Sequence, residues 1–195
     1  MLCWLGHRKQ RLKHVISIRT APINVKGLID VIPEIRKMTV QKPKEFCPKL
    51  KEMLTECGIA LVFLPHLKGS FLQGASFVDG NKIVVGLTAR GKDADKFWFS
   101  LFHELAHIVL GHIGQISGTT DQDEKNVDNW SRDKFIPTEN FEQYKNIGIF
   151  SASSVIDFAK SIGIAPGIVV GRLDKEGCIQ HNMLNDIKEQ YIITV

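Results

Sequence analysis

Apolar residues recur along this chain with two different periods, and the points where the period changes mark out its elements. Positions 25, 28, 29, 32 and 35 follow helical spacing, with Pro33 demanding a kink or a restart. Residues 48–57 repeat that spacing more cleanly: Leu50, Met53, Leu54 and Cys57 share one side, and Gly58 stops the helix. The run IALVFL, residues 59–64, is apolar throughout and reads as a buried strand. Residues 71–78 and 82–87 flank Asp79-Gly80-Asn81, which predicts a β-hairpin. After a polar loop over 88–95, residues 97–112 (FWFSLFHELAHIVLGH) are apolar nearly all round, as in a buried helix. Another helical segment opens at Asp123, keeps Val127, Trp130, Lys134 and Phe135 roughly in phase, and ends at Pro137. Residues 153–173 read as two helices around Gly163, with Pro166 near the start of the second. The last stretch, 178–195, mixes a possible strand, a short helix and an apolar end. The fold class expected is therefore α+β, with a small twisted sheet and a helical C-terminal part.

At 195 residues the chain is long enough to bury a real core in one domain with an appendage, or in two small ones. The expected division is a basic helical segment or linker over 1–44, a core over 45–150 and a helical subdomain over 151–195. Charge sharpens the first boundary. Residues 1–51 carry 12 Lys/Arg against 3 Asp/Glu, or +9, whereas 52–195 carry 13 against 18, or −5. Such a basic quarter contacts nucleic acid in some proteins, but a solvated helical face or linker is the commoner origin. The opening MLCWLGHRKQR is too short an apolar run for a signal peptide and has its basic residues after it, so no membrane or secretory route is expected. Cys3, Cys47, Cys57 and Cys178 form no C-x-x-C pair, which fits reduced thiols in a cytoplasmic protein.

The chemistry sits in the apolar helix, at His103-Glu104-x-x-His107. Residues four apart differ by only about 40° around a helix axis, so both imidazoles can reach one ion from one face. Imidazole suits zinc, and Glu104 can take a proton from a water that such an ion activates. An amphipathic helix carrying two histidines by chance is the plain alternative. Burial argues against it, because two histidines and a glutamate among apolar residues are costly without partners.

A catalytic zinc usually has three protein ligands, so a third is expected downstream. His112 lies about 140° further round an extended helix than His107 and is poorly placed. A metzincin would need Gly and His where Leu110 and Ile113 stand. Glu124 and Asp128 are again four apart, at the start of the next helix. Glu124 is the expected third ligand, and Asp128 is expected to accept a hydrogen bond from the far nitrogen of a ligand histidine. An ordinary acidic first turn is the alternative for both, and it is the reading given to Asp121 and Asp123.

Together, residues 97–112 and the run E-x-x-V-D-N-W-S-x-x-x-F-I-P from Glu124 to Pro137 resemble the ImmA/IrrE family of zinc metallopeptidases. Val127, Asp128, Trp130 and Ser131 stand where that family usually has Ala, Asn, Phe and Ala. The resemblance covers roughly residues 45–175. It implies a zincin-like metallopeptidase domain in which His103, His107 and Glu124 bind zinc and Glu104 is the base. It also implies a protein substrate, a helix-turn-helix repressor or a toxin, in a phage, mobile-element, stress or toxin–antitoxin circuit. Many fused members resemble HigA-type antitoxins, in which a DNA-binding domain precedes the peptidase-like one; Cys3-Trp4-Leu5 and the basic run after it look like such a junction. DNA contact is then expected only through a missing or separate domain.

The alternative function is a non-catalytic antitoxin or regulator domain that binds a toxin, repressor or DNA. Residues 153–173 have helix-turn-helix spacing, but the would-be reading helix is mostly Gly, Ile and Val, leaving Arg172 and Lys175 to reach a base or phosphate. Two helices packed on the core are the favoured reading. Tyr144 and His181 could assist transition-state stabilisation, but neither has a spacing argument, and a surface or core role is the favoured reading.

Overall fold

The computed structural model describes residues 18–64, 73–88, 93–114 and 118–191. The expectations for residues 2–17, including the Cys3-Trp4-Leu5 junction, and for the last four residues lie outside them.

Helix α1 (Val25–Lys37) starts where the Asn24 side chain accepts a hydrogen bond from the Gly27 N–H at 2.8 Å. It runs through Pro33 as one helix, so of the kink or restart expected there the restart does not occur. Leu28, Ile32 and Ile35 are buried, while Pro33 and Ile29 are exposed, so the carbonyl that proline leaves without a helical donor lies on the wet side. After a 3₁₀ turn (Met38–Val40), α2 spans Pro43–Glu56, with its first proline at a position that needs no N–H. It begins at Pro43, not at Pro48, because Phe46 extends the stripe of Leu50 and Leu54 back by one turn and is itself fully buried.

Strands β1 (Ile59–Leu64), β2 (Gly74–Asp79) and β3 (Lys82–Thr88) form a mixed sheet in the order β1-β3-β2. β1 runs parallel to β3, and β2 is its antiparallel hairpin partner through the turn at Gly80, whose φ is +62°. Central β3 is buried along its whole length. Ile59, Leu61, Ile83, Val85 and Leu87 face the main core, whereas Ala60, Val62, Phe77 and Val84 meet Ile18 in a small outer cluster. Residues opposite each other share a face, so Gly74 and Ser76, paired with Leu87 and Val85, also face inward. Among the described residues β2 pairs only with β3, which leaves it an edge strand.

Helix α3 (Ala94–Val109) passes beneath this sheet and carries the two histidines. Its Trp98, Leu101, Phe102, Leu105 and Ala106 have no exposed surface. Phe46 of α2 lies 4.7 Å from the Trp98 ring, and Trp98 donates its indole N–H to the Tyr191 hydroxyl at 2.9 Å. The C-terminal segment is thereby fastened over the start of α3, helped by a bridge between Asp93 and Gln190 and an ion pair between Lys188 and Asp95 at 3.1 Å.

Helix α4 (Asp121–Phe135) packs on α3 through Val127, Ser131 and Phe135, and the Phe135 and Phe102 rings are 4.0 Å apart. Thr120 and Asp123 close its N-terminus as a capping box. At its other end Arg36 donates to the Phe135 carbonyl, and buried Arg172 donates to that of Ile136. Cations suit these unpaired carbonyls at the negative end of the helix.

Helices α5 (Thr138–Ile147), α6 (Ala152–Ile162) and α7 (Pro166–Lys175) complete the chain. α6 and α7 meet at 113°, through a turn in which Gly163 takes φ +68°. That angle lies within the helix-turn-helix range. Yet Gly167, Ile168, Val169, Val170, Arg172 and Leu173 of α7 are buried, so the would-be reading helix is spent on the core. One buried cluster runs from Leu28 to Tyr191 and draws on all three stretches that the charge and pattern divide. Among the described residues, no single helix is long and apolar enough to cross a membrane.

Tyr191→Phe should leave the Trp98 indole N–H unpaired in a dry site and cost about 1–3 kcal/mol in a urea titration. A variant as stable as the wild type would show that this hydrogen bond does not fasten the C-terminal segment.

Candidate metal centre

The i, i+4 spacing in α3 places His103 and His107 side by side, with their Nε2 atoms 3.1 Å apart. Opposite them is the first turn of α4. The Glu124 carboxylate approaches His103 Nε2 at 3.3 Å through Oε2 and His107 Nε2 at 3.7 Å through Oε1. One donor atom from each residue lies within 4.8 Å of the other two, so His103, His107 and Glu124 form a group that could hold a metal ion.

Each of these side chains also has a partner outside the group. His103 Nδ1 meets Asp128 Oδ1 at 3.3 Å, and the other Asp128 oxygen accepts from Lys175 at 2.9 Å. Asp128 was expected to accept from one of the two histidines, and the one it meets is His103. Thr119 donates to Glu124 Oε1 at 2.6 Å. His107 Nδ1 meets His112 Nδ1 at 3.2 Å. His112 therefore lies beside His107, on the side away from Glu124's contacts with Nε2. The helical extrapolation that set it 140° away fails because α3 ends at Val109: Gly111, at φ +76°, folds the chain back, and the His112 N–H bonds to the His107 carbonyl. A glycine just past the last helical turn was the signal available in the sequence.

Glu104 is outside the donor group and 7% exposed. Its Oε2 accepts from the Ser76 hydroxyl of β2 at 2.6 Å. Gly74, two residues earlier on the same strand face, leaves the space that Glu104 fills: a Cβ there would come within 2.7 Å of Oε1 and 2.9 Å of Cγ. Neither residue stood out in the sequence, since a Gly and a Ser two apart at a strand start carry no motif.

Burial pushes the Glu104 carboxyl above its ordinary range, against the opposing pull of the Ser76 hydrogen bond and the nearby His103. Burial also lowers the His107 imidazole, with His103 adding to the effect, so its neutral form is favoured. Burial raises Asp128 as well, but the hydrogen bond and charge of Lys175, with His103, outweigh it and leave the carboxyl below its usual value. The donor set is thus two imidazoles, one of them held neutral, and a carboxylate, which suits a borderline divalent ion.

His103 of this group and neighbouring Glu104 line a cleft of about 910 Å³, whereas His107 and Glu124 are not among its lining residues. One stripe of α3 lines it, with Asp95, Phe99 and His103 at four-residue steps, so it extends about 12 Å back along that helix. Gly74 of β2, Asp128 of α4 and Lys175 of α7 form other parts of its wall. Tyr144 and His181 do not line it. Tyr144 is buried against Phe158 at 4.1 Å, and His181 pairs with Asp174 at 3.0 Å.

In metal-free protein, a raised Glu104 pKa means that its ionisation opposes folding. This cost is absent below the unfolded value of 4.5, grows as pH rises above it, and is complete above the folded value. Glu104→Gln should therefore be more stable than the wild type at neutral pH, with the gap narrowing as pH falls towards 4.5 and closed below it. Thermal melts across pH, run with chelator present, check this; a gap that stays constant with pH would contradict the burial-driven shift.

No protein-family model matches this chain, and no curated protein matches it, so the residues and their geometry carry the functional reading.

Proposed function

We propose that this chain is a zinc-dependent endopeptidase domain with a zincin-like fold, of the kind its sequence resembles in the ImmA/IrrE family. The observation that carries the reading is the convergence of His103 Nε2, His107 Nε2 and the Glu124 carboxylate beside a second carboxyl group, that of Glu104, which is held by Ser76 and lines the cleft together with His103. Two imidazoles and one carboxylate are the protein ligand set of peptidase zinc sites that keep one position open. Bound there, zinc would supply Lewis acidity to a carbonyl oxygen and to water.

Glu104 then acts as the general base. It takes a proton from the attacking water on a carboxylate oxygen as the new carbon–oxygen bond forms, and passes it to the leaving nitrogen as the peptide bond breaks. Asp128 orients the His103 ring through Nδ1, and Lys175 keeps Asp128 charged for that task. Gln73 and Gly74, where β2 starts, also line the cleft. An extended peptide laid along β2, an edge strand among the described residues, would lie across it, which favours an exposed loop or tail of a protein as substrate. The sequence resemblance makes a helix-turn-helix repressor or a toxin the first substrate to offer.

Elemental analysis of the purified protein should find one equivalent of zinc, lost in both His103→Ala and Glu124→Ala. Absence of zinc from the wild type after reconstitution would sink the peptidase reading in favour of a binding domain. Glu104→Gln should retain zinc and lose cleavage by at least about a hundredfold, the span of one general base. Cleavage at the wild-type rate in that variant would remove Glu104 from the mechanism.

A further inference from the structure

We propose that His112 is a positioning residue for the metal site, selecting the tautomer of His107 that leaves Nε2 free and tying that ring to the helix that supplies Glu124. The inference rests on the metal-binding reading above but assigns a residue which that reading does not use.

A ligand role for His107 Nε2 fixes the direction of the hydrogen bonds. His107 Nε2 points at the donor group, 3.1 Å from His103 Nε2, so as a ligand it presents a lone pair there and carries its proton on Nδ1. Nδ1 is 3.2 Å from His112 Nδ1, which must then accept. An accepting Nδ1 puts the His112 proton on Nε2, and Nε2 faces Asp123 Oδ1 at 3.5 Å. The three groups are thus satisfied by one assignment: His107 gives to His112, and His112 turns its remaining N–H toward a carboxylate. Asp123 is itself fixed, since its other oxygen accepts from the Thr120 N–H at 2.9 Å and from the Thr120 hydroxyl at 2.7 Å.

Asp123 immediately precedes Glu124. The chain His107, His112, Asp123 therefore links the end of α3 to the first turn of α4, next to the residue that completes the donor group. The His112 side chain is 8% exposed, so water competes poorly for these contacts. Its place depends on the Gly111 turn and not on helical phase.

The test compares His112→Phe, which fills the space without a polar atom, with His112→Asn, whose side-chain oxygen stands near the position of Nδ1 and can still accept from His107. Zinc affinity is measured by competition with a chromophoric chelator, and the stability of each metal-free protein by thermal melting. Loss of an outer partner typically costs about 10–100-fold in metal affinity, and that is the loss expected for His112→Phe. His112→Asn should recover most of the affinity, although the two variants melt alike without metal. In metal-free wild type, long-range proton–nitrogen spectra should show His107 protonated at Nδ1, and His112→Phe should release it to a mixture of tautomers. Wild-type affinity in His112→Phe, or equal losses in both variants, would overturn the role given to His112. Wild-type protein that takes up no zinc would instead overturn the metal reading on which it rests.

Discussion

Polar groups inside an apolar helix must find partners, and that constraint organises this molecule. Helix α3 is buried nearly all round, yet its second half carries two imidazoles and a carboxylate. Leaving such groups unpaired in a dry interior costs several kcal/mol each by transfer from water (~2–7 for a neutral polar group). Each surrounding element contributes a partner: β2 supplies Ser76, α4 supplies Glu124 and Asp128, and the turn after α3 supplies His112. The same arrangement that makes the core tolerable makes the site.

Rigidity follows from how the second of these elements is held. α4 is fastened on three sides: by the Thr120 capping box at its start, by Val127, Ser131 and Phe135 along its buried stripe, and by Arg36 and Arg172 at its last carbonyls. Glu124 therefore sits on a fixed helix, next to a fixed cap, and it faces histidines on another helix sealed under a sheet. A constellation built on helices whose supporting contacts are themselves packed keeps its geometry better than one on loops. The acidic first turn of α4 is also favoured by the helix dipole.

The C-terminal half shows how one spacing can serve two purposes. α6 and α7 meet at an angle compatible with a DNA-reading unit, but burial of Ile168, Val169, Val170 and Leu173 commits α7 to the core. Arg172, one of two residues in that helix able to contact a phosphate or base, is turned inward onto the Ile136 carbonyl and over the Phe141 ring at 4.0 Å. Lys175 is left exposed and pairs with Asp128 at the rim of the cleft. α7 thus acts as a wall of the site and a clamp on α4.

What the sequence by itself determined is whatever repeats with a period or sits at a fixed step. Helical phase set His103 beside His107 and put Glu124 and Asp128 on one face; the apolar run at 59–64 and the turn at 79–81 marked the strands they form. Those relations need only the local geometry of one element. Tertiary structure alone decided which faces meet. Nothing within residues 74–76 says that Gly74 clears space for Glu104 or that Ser76 bonds to it, because the register of the hairpin and its docking on α3 create that contact. Pro33 and Pro48 looked like boundaries, and both lie inside helices whose packing outweighs the local penalty. His112 looked out of phase, and a left-handed glycine brought it back. Periodicity tells which side of an element is apolar; pairing between distant elements depends on the summed burial of many side chains and leaves no mark at the positions that meet.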